Sequence, residues 1–320
     1  MGAAARLGGA PLTRRRRPGA PGRPVAAARR RLLSLFAVAG LAGAGAWTLA
    51  PVRPRPSAAA LAADYVLLGE VHDNPEGHAR RLAWLRALPP GESRALVFEQ
   101  FDREHQAAIA RWRAAHPEAR GAGAARELAR AGGFAFEAWD YDAYGPVIAL
   151  ALERGWDIRA GNLSRTDAMR IARDPALAAP PPTGWPAGAD AALEAAVRAG
   201  HCGLVPESRI AAMALAQRSR DASMAQAMLA ARAQGAGQVI LLAGNGHVRR
   251  DHGVPAHLRG AQPDARIFTV GFIEAGTHAE GNAFDATRTV PPAERPDPCE
   301  QLRERFGRPR AAAGRHGAGG

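Results

Sequence analysis

Short apolar runs, separated by longer stretches of helical spacing, set the frame of this chain. Tyr65-Val66-Leu67-Leu68, Ala95-Leu96-Val97-Phe98 and Val239-Ile240-Leu241-Leu242-Ala243 are continuously apolar, the pattern of strands covered on both faces. Further strands are predicted over 156–161 and 266–272, and helices near 77–87, 103–115, 124–131, 144–154, 191–199 and 208–234. Ser164 is placed to cap a helix that runs to Arg173. Residues 174–189, rich in proline and glycine, read as a surface loop. In the longest helix Ile210, Met213, Leu215, Met224, Met228 and Leu229 make a wide apolar stripe, which reads as core packing. The alternation of strand and helix predicts an α/β fold: a mostly parallel sheet with helices on both faces. Residues 64–300 show no repeat and no internal boundary. Beyond about Gly276 the chain reads as extended, and 301–320 as a disordered tail.

Two of the predicted strand ends share one arrangement. Gly69-Glu70-Val71-His72 and Gly244-Asn245-Gly246-His247 both place Gly-x-x-His where an apolar run stops, and Glu99 ends a third run. In open parallel sheets functional groups collect beyond the carboxyl ends of the strands, so these histidines are expected to converge there. Glycine is expected to allow a sharp turn from which the histidine projects.

Composition is globular, with 47% hydrophobic residues. The formal charge of +12 suggests nucleic acid until it is mapped: eleven of the 42 basic residues precede Asp64, where no acidic residue occurs, and the remainder is close to neutral. No basic face is left for phosphates, so no nucleic-acid partner is expected. The basic leader has the order of an export signal. Arg29-Arg30-Arg31 precedes an uncharged apolar run from Leu32 to Ala50, and small residues follow at Ser57-Ala58-Ala59-Ala60. Arg29-Arg30-Arg31-Leu32-Leu33 approximates a twin-arginine signal. Residues 1–63 are therefore expected to be a cleaved signal peptide or a retained signal anchor, the only route to a membrane. The run is long enough to span one. The folded part is expected in the periplasm, or anchored on the periplasmic side of the inner membrane. In an exported chain the two cysteines, Cys202 and Cys299, read as a disulfide, two free thiols being the alternative.

Two chemistries fit the strand ends. Glu70, His72, Glu99 and His247 make a histidine/carboxylate set suited to Zn, Mn, Co or Fe. With His72, Glu99 and His247 as catalytic candidates, that set would support hydrolysis of a peptide or ester, with a metal or by direct proton abstraction from water. His78 either joins the site or starts a helix, His252 is an open case, and Asn162 could orient a neighbouring histidine. Trp139-Asp140-Tyr141-Asp142-Ala143-Tyr144 is an aromatic cluster in which a phenolate could ligate haem iron. The alternative for Tyr144 is a core residue with its hydroxyl bonded to backbone.

Leu68-Gly69-Glu70-Val71-His72-Asp73-Asn74-Pro75 with His78 resembles the start of the ChaN-type haem-binding uptake family, in the superfamily that also holds Tiki proteases and erythromycin esterases. The likeness continues through Phe98-Glu99-Gln100-Phe101, Tyr144-Gly145-Pro146, Ala160-Gly161-Asn162-Leu163, His201-Cys202-Gly203, Gly253-Val254-Pro255 and Asp297-Pro298-Cys299-Glu300. The resemblance implies a 64–300 haem-binding domain, an α/β fold with an added helical subdomain, a role in haem or iron uptake, and a homodimer enclosing the cofactor. It implies Tyr144 as axial ligand, with His72, His78, His247 and Asn162 around the haem. The rival that it brings is a metal-dependent hydrolase built on the paired Gly-x-x-His motifs.

Overall fold

The computed structural model describes residues 55–277 and 282–307. Six strands pair in parallel: β1 (Tyr65–Glu70), β2 (Arg94–Asp102), β3 (Asp157–Asn162), β4 (Gln238–Gly244), β5 (Ile267–Glu274) and β6 (Ala286–Val290). Their order is β3-β2-β4-β1-β5-β6, so the two Gly-x-x-His segments leave neighbouring strands in the middle of the sheet. The sixth strand was not expected. Ala286-Thr287-Arg288-Thr289-Val290 alternates half-buried and exposed positions at a sheet edge, and so lacks the continuous apolar run that marks the inner strands.

Alternation of side chains across the sheet divides the core in two. Val66, Leu68, Leu96, Phe98, Ile240 and Leu242 pack beneath α2 (Pro75–Arg86), α4 (Gly121–Ala131) and α5 (Tyr141–Arg154). Tyr65, Leu67, Val97, Val239 and Leu241 face Met224 and Met228 of α8 (Ile210–Ala233) and Leu258 of α9 (Val254–Ala261). The methionine stripe is core, as its spacing implied. The helical addition is α6 (Arg165–Arg173) and α7 (Ala189–Gly200), which lie against α8 with two small apolar clusters of their own. One joins Leu163, Ile171 and Ala216, the other Leu193, Val197 and Ile210.

The folded body begins before residue 64. Ser57 caps the short helix α1 (Ala58–Ala62), and Ala60 is fully buried with its carbonyl accepting from Gln238 Nε2 at 3.0 Å. Of the small residues expected to suit cleavage, Ala60 therefore belongs to the core, while Ser57, Ala58 and Ala59 are exposed. At the other end the expected tail is helical as far as Gly307, in a helix (Pro298–Gly307) tied by a Cys202–Cys299 disulfide to the loop after α7. The basic leader and the apolar run Leu32 to Ala50 lie outside the described residues. Among the described residues no helix is long and apolar enough to cross a membrane.

Candidate functional site

The two Gly-x-x-His segments interlock. In the β1–β4 register Glu70 stands opposite Gly244, and the Asn245 N–H donates to the Glu70 carbonyl at 2.9 Å. A Cβ on Gly69 would lie 2.2 Å from Asn245 Oδ1 and 2.8 Å from Val248 Cγ2, and one on Gly244 would lie 3.0 Å from His72 Cε1 and Nε2. Each glycine leaves room for the opposite segment. Neither has a positive φ, so the expected sharp glycine turn is corrected to a close approach of two strand ends.

Around the first segment lies a buried network centred on Glu70. Its Oε1 accepts from His72 Nδ1 at 2.8 Å, from Gln100 Nε2 at 3.3 Å and from the Tyr144 hydroxyl. Its Oε2 pairs with the guanidinium of Arg81, which is fully buried. Burial pushes the pKa of Arg81 down to about 10 against the pull of Tyr144 and Glu99, so it remains a cation at neutral pH. His78 Nε2 donates to the His72 carbonyl at 2.8 Å, and its Nδ1 accepts from Arg81 Nη2 at 2.9 Å. Burial holds the His78 pKa below its ordinary value, consistent with a neutral ring whose two nitrogens are both engaged.

Around the second segment the carboxylates flank the histidine. His247 Nδ1 lies 2.6 Å from Asp221 Oδ1 of α8, and its Nε2 lies 3.5 Å from Glu99 Oε1. Glu99 Oε2 accepts from the Gly244 N–H at 2.7 Å. Burial opposes the imidazolium of His247, but Asp221 and Glu99 outweigh it and hold the pKa above the ordinary value. For Asp221 burial wins over His247 and raises the carboxyl to about 6. For Glu99 burial raises, and His247, His72 and the Gly244 N–H together lower it below its ordinary value. His247 thus stands between Asp221 and Glu99, and Glu99 also feels the charge of His72.

Two cavities open on either side of this core. The larger, about 1110 Å³, is walled by Leu82, Trp139, Ala143, Pro146 and Pro291, with His72 and His78 at its base. The smaller, about 200 Å³, lies between α7, α8 and the second segment, and is lined by Asp221, His247, His201, Gln217 and His252. His252 is buried with no hydrogen bond to either ring nitrogen, since Asp251 at 3.2 Å from Nδ1 is poorly angled.

Several expected roles change. Tyr144 is fully buried and its hydroxyl donates to Glu70, so it does not line the large cavity. Burial raises its pKa well above the ordinary phenol range, with Arg81 pulling the other way. Tyr144 is a core residue, as its alternative had it, but its hydroxyl partner is the Glu70 carboxylate and not backbone. His78 lines the cavity but has both ring nitrogens engaged, and His247 faces the smaller pocket. Asn162 orients no histidine; its Oδ1 accepts from Arg220 Nη1 at 2.9 Å. Glu70 is committed to Arg81, Tyr144, Gln100 and His72. Among the described residues no three His, Cys, Asp or Glu side chains converge as a metal site. The expected Glu70, His72, Glu99, His247 set is divided instead into two hydrogen-bonded groups.

Arg81, Gln100, Asp221 and Arg220 were not anticipated. Arg81 had a local signal, three residues after His78 on one face of α2. Asp221 had a weaker one: a lone acid on an alanine-rich helix whose neighbours are buried.

The chain is an all-parallel α/β sheet with a cavity beyond its strand ends and an oriented histidine in that cavity's lining, the place where open sheets hold ligands. The family described as haem-binding uptake, Tiki superfamily, ChaN matches residues 57–258, and the chain belongs to that family. The structure of ChaN from Campylobacter jejuni, described as showing cofacial haem binding, is 21% identical over 68% of this chain and 84% of that one, with a TM-score of 0.57. An erythromycin esterase mutant in its open conformation is 16% identical over 75% of this chain and 79% of that one, at a TM-score of 0.39. The type III effector HopBA1 is 14% identical over 71% and 88%, at 0.38. No curated protein sequence matches the chain.

Proposed function

We propose that this protein binds haem in the large cavity and serves haem or iron handling outside the cytoplasm. The observation that carries the reading is the cavity itself, in a chain that belongs to a haem-binding family. Its volume of about 1110 Å³ is ample for a tetrapyrrole, and its walls combine the apolar Leu82, Trp139, Ala143, Pro146 and Pro291 with several carboxylates. The macrocycle and the iron fit this site: Trp139 and Leu82 offer contact surface, and His72 offers a ring nitrogen without a protein partner among the described residues. Bound haem would supply an iron centre for transfer or one-electron chemistry.

The rim does not serve the propionates, since Asp73, Glu76, Asp140, Asp142 and Glu294 surround the opening. The places around the haem that the resemblance implies for His78 and His247 are not met in this arrangement, since both His78 nitrogens are engaged and His247 lines the smaller pocket. A homodimer that closes the open cavity belongs to the proposal. Export rests on the leader's charge and apolar order, and places the protein in the periplasm or on its membrane face.

Haem titration into the purified chain tests the reading: a saturable Soret band at micromolar concentration supports it, and an unchanged spectrum overturns it. Sedimentation with and without haem tests the dimer, which predicts a doubling of mass on loading.

A second reading is favoured by one observation, the Asp221-oriented His247 beside Glu99 and the smaller pocket. Such an arrangement can hold and move a proton for ester or amide hydrolysis. It predicts slow hydrolysis of an activated ester that disappears in His247→Ala. Activity unchanged in that variant contradicts it.

A further inference from the structure

We propose that the smaller pocket, between α7, α8 and the second Gly-x-x-His segment, binds a small organic ammonium ion. The proposal stands apart from both functional readings, since it concerns a cavity that haem does not use and needs no proton transfer.

His252 is the first reason. It is 2% exposed, it lines the pocket, and neither ring nitrogen has a hydrogen bond among the described residues. Gln217 Oε1, in the same lining, is buried without a partner as well. Buried polar atoms in folded proteins are nearly always paired, so two orphaned side chains on one pocket call for a common partner. A single water takes roughly 30 Å³ of liquid volume. The pocket offers about 200 Å³, room for a small molecule.

The free atoms define what that molecule must carry. His201 Nδ1 donates to the Val197 carbonyl at 2.8 Å, which leaves Nε2 as an acceptor. Burial holds the His252 pKa below its ordinary value, so the ring is neutral and keeps one accepting nitrogen. Gln217 Oε1 is a further acceptor, and Asp221, one turn along the same face of α8, adds a carboxylate. No arginine or lysine lines the pocket. His247 is held between Asp221 and Glu99, so one imidazolium meets two carboxylates and the surroundings stay net negative. An anion is disfavoured there. Charged N–H donors meet acceptors instead, and charge-assisted hydrogen bonds are the stronger kind. Leu193, Ala196 and Val197 of α7 supply an apolar wall for a short carbon chain. Among the described residues the polar groups do not converge as a metal site, which favours a molecule over a bare ion. The α7 wall is fixed from outside, because Cys202, next to His201, is bonded to Cys299.

Ring-nitrogen NMR of the full chain with isotopically labelled histidine tests this, at a pH above the Asp221 value of about 6. The probes are propylammonium, propanol and propionate, alike in size and different in charge. His252→Phe identifies the His252 signals by their loss, and it removes no protein hydrogen bond, so the fold should persist. In wild type, propylammonium is expected to shift the His252 and His201 signals saturably, while propanol and propionate shift them little. Gln217→Met keeps side-chain volume and should weaken propylammonium roughly tenfold, the scale of one hydrogen bond to a charged group. His252→Phe should weaken it similarly, as followed through His201. A response equal for the three probes, or larger for propionate, overturns the ammonium assignment. No saturable shift with any probe, or a propylammonium affinity unchanged in the two variants, overturns the site.

Discussion

The two Gly-x-x-His segments are equivalent in sequence and adjacent in the sheet, yet their histidines meet different surroundings. His72 has one carboxylate, a 44% exposed side chain and a place in the lining of the large cavity. His247 has carboxylates at both nitrogens and is only 14% exposed, beside a small polar pocket. The motif thus determines place and close approach, and the neighbours decide use. Those neighbours come from different elements: α2 and α5 supply Arg81 and Tyr144 to the first site, and α8 supplies Asp221 to the second.

The contrast can be broken most severely at Arg81. Replacing it by methionine leaves Glu70 buried without its cation, which costs about 3–5 kcal/mol in urea unfolding. His247→Gln, at the site where the carboxylates hold the charge among themselves, should cost less. Next in size is the disulfide. It closes a loop of 97 residues beside the second site, and the chain-entropy model puts its loss at roughly 4.7 kcal/mol at most. Paired Cys202→Ser and Cys299→Ser should lower Tm with a smaller effect on haem titration, since only Pro291, Pro292, Ala293 and Glu294 of the large cavity's lining belong to that loop.

Glu70→Gln sharpens the comparison from the ligand side. Loss of a carboxylate behind a metal-bound imidazole weakens affinity roughly 10–100-fold, and titration below the variant's unfolding temperature should show this. Asp221→Asn, the counterpart at the second site, should leave haem affinity alone. Its effect is on pH dependence. The raised pKa of His247 gives a stabilising contribution that is fully present at and below its ordinary value of 6.5 and is lost as pH rises through the folded value. Asp221, raised to about 6, adds in the same direction at lower pH, its contribution being lost as pH rises through that value. Wild type should therefore lose stability on going from pH 6.5 to mildly alkaline conditions, and Asp221→Asn should flatten that slope. A slope identical in both proteins contradicts the assignment.

The convergence of the two segments was legible because glycine, apolar run and histidine lie together in the sequence. Glu99 was legible for the same reason, as a charge at the end of an apolar strand. The roles were not, because each depends on contacts over long separations: Tyr144 with Glu70 across 74 residues and Asp221 with His247 across 26. A tyrosine beside a tryptophan resembles a haem wall and a core cap equally until its hydroxyl partner is known. The edge strand β6 escaped notice because its polar outward positions carry no apolar signal. The paired cysteines were readable through arithmetic and the expected oxidising compartment.

The most direct test of the account is parallel haem titration of wild type, His72→Ala and His247→Ala at one pH. The account predicts that His247→Ala retains the wild-type Soret band and affinity, while His72→Ala loses most of both. A full Soret response in His72→Ala together with its loss in His247→Ala contradicts it.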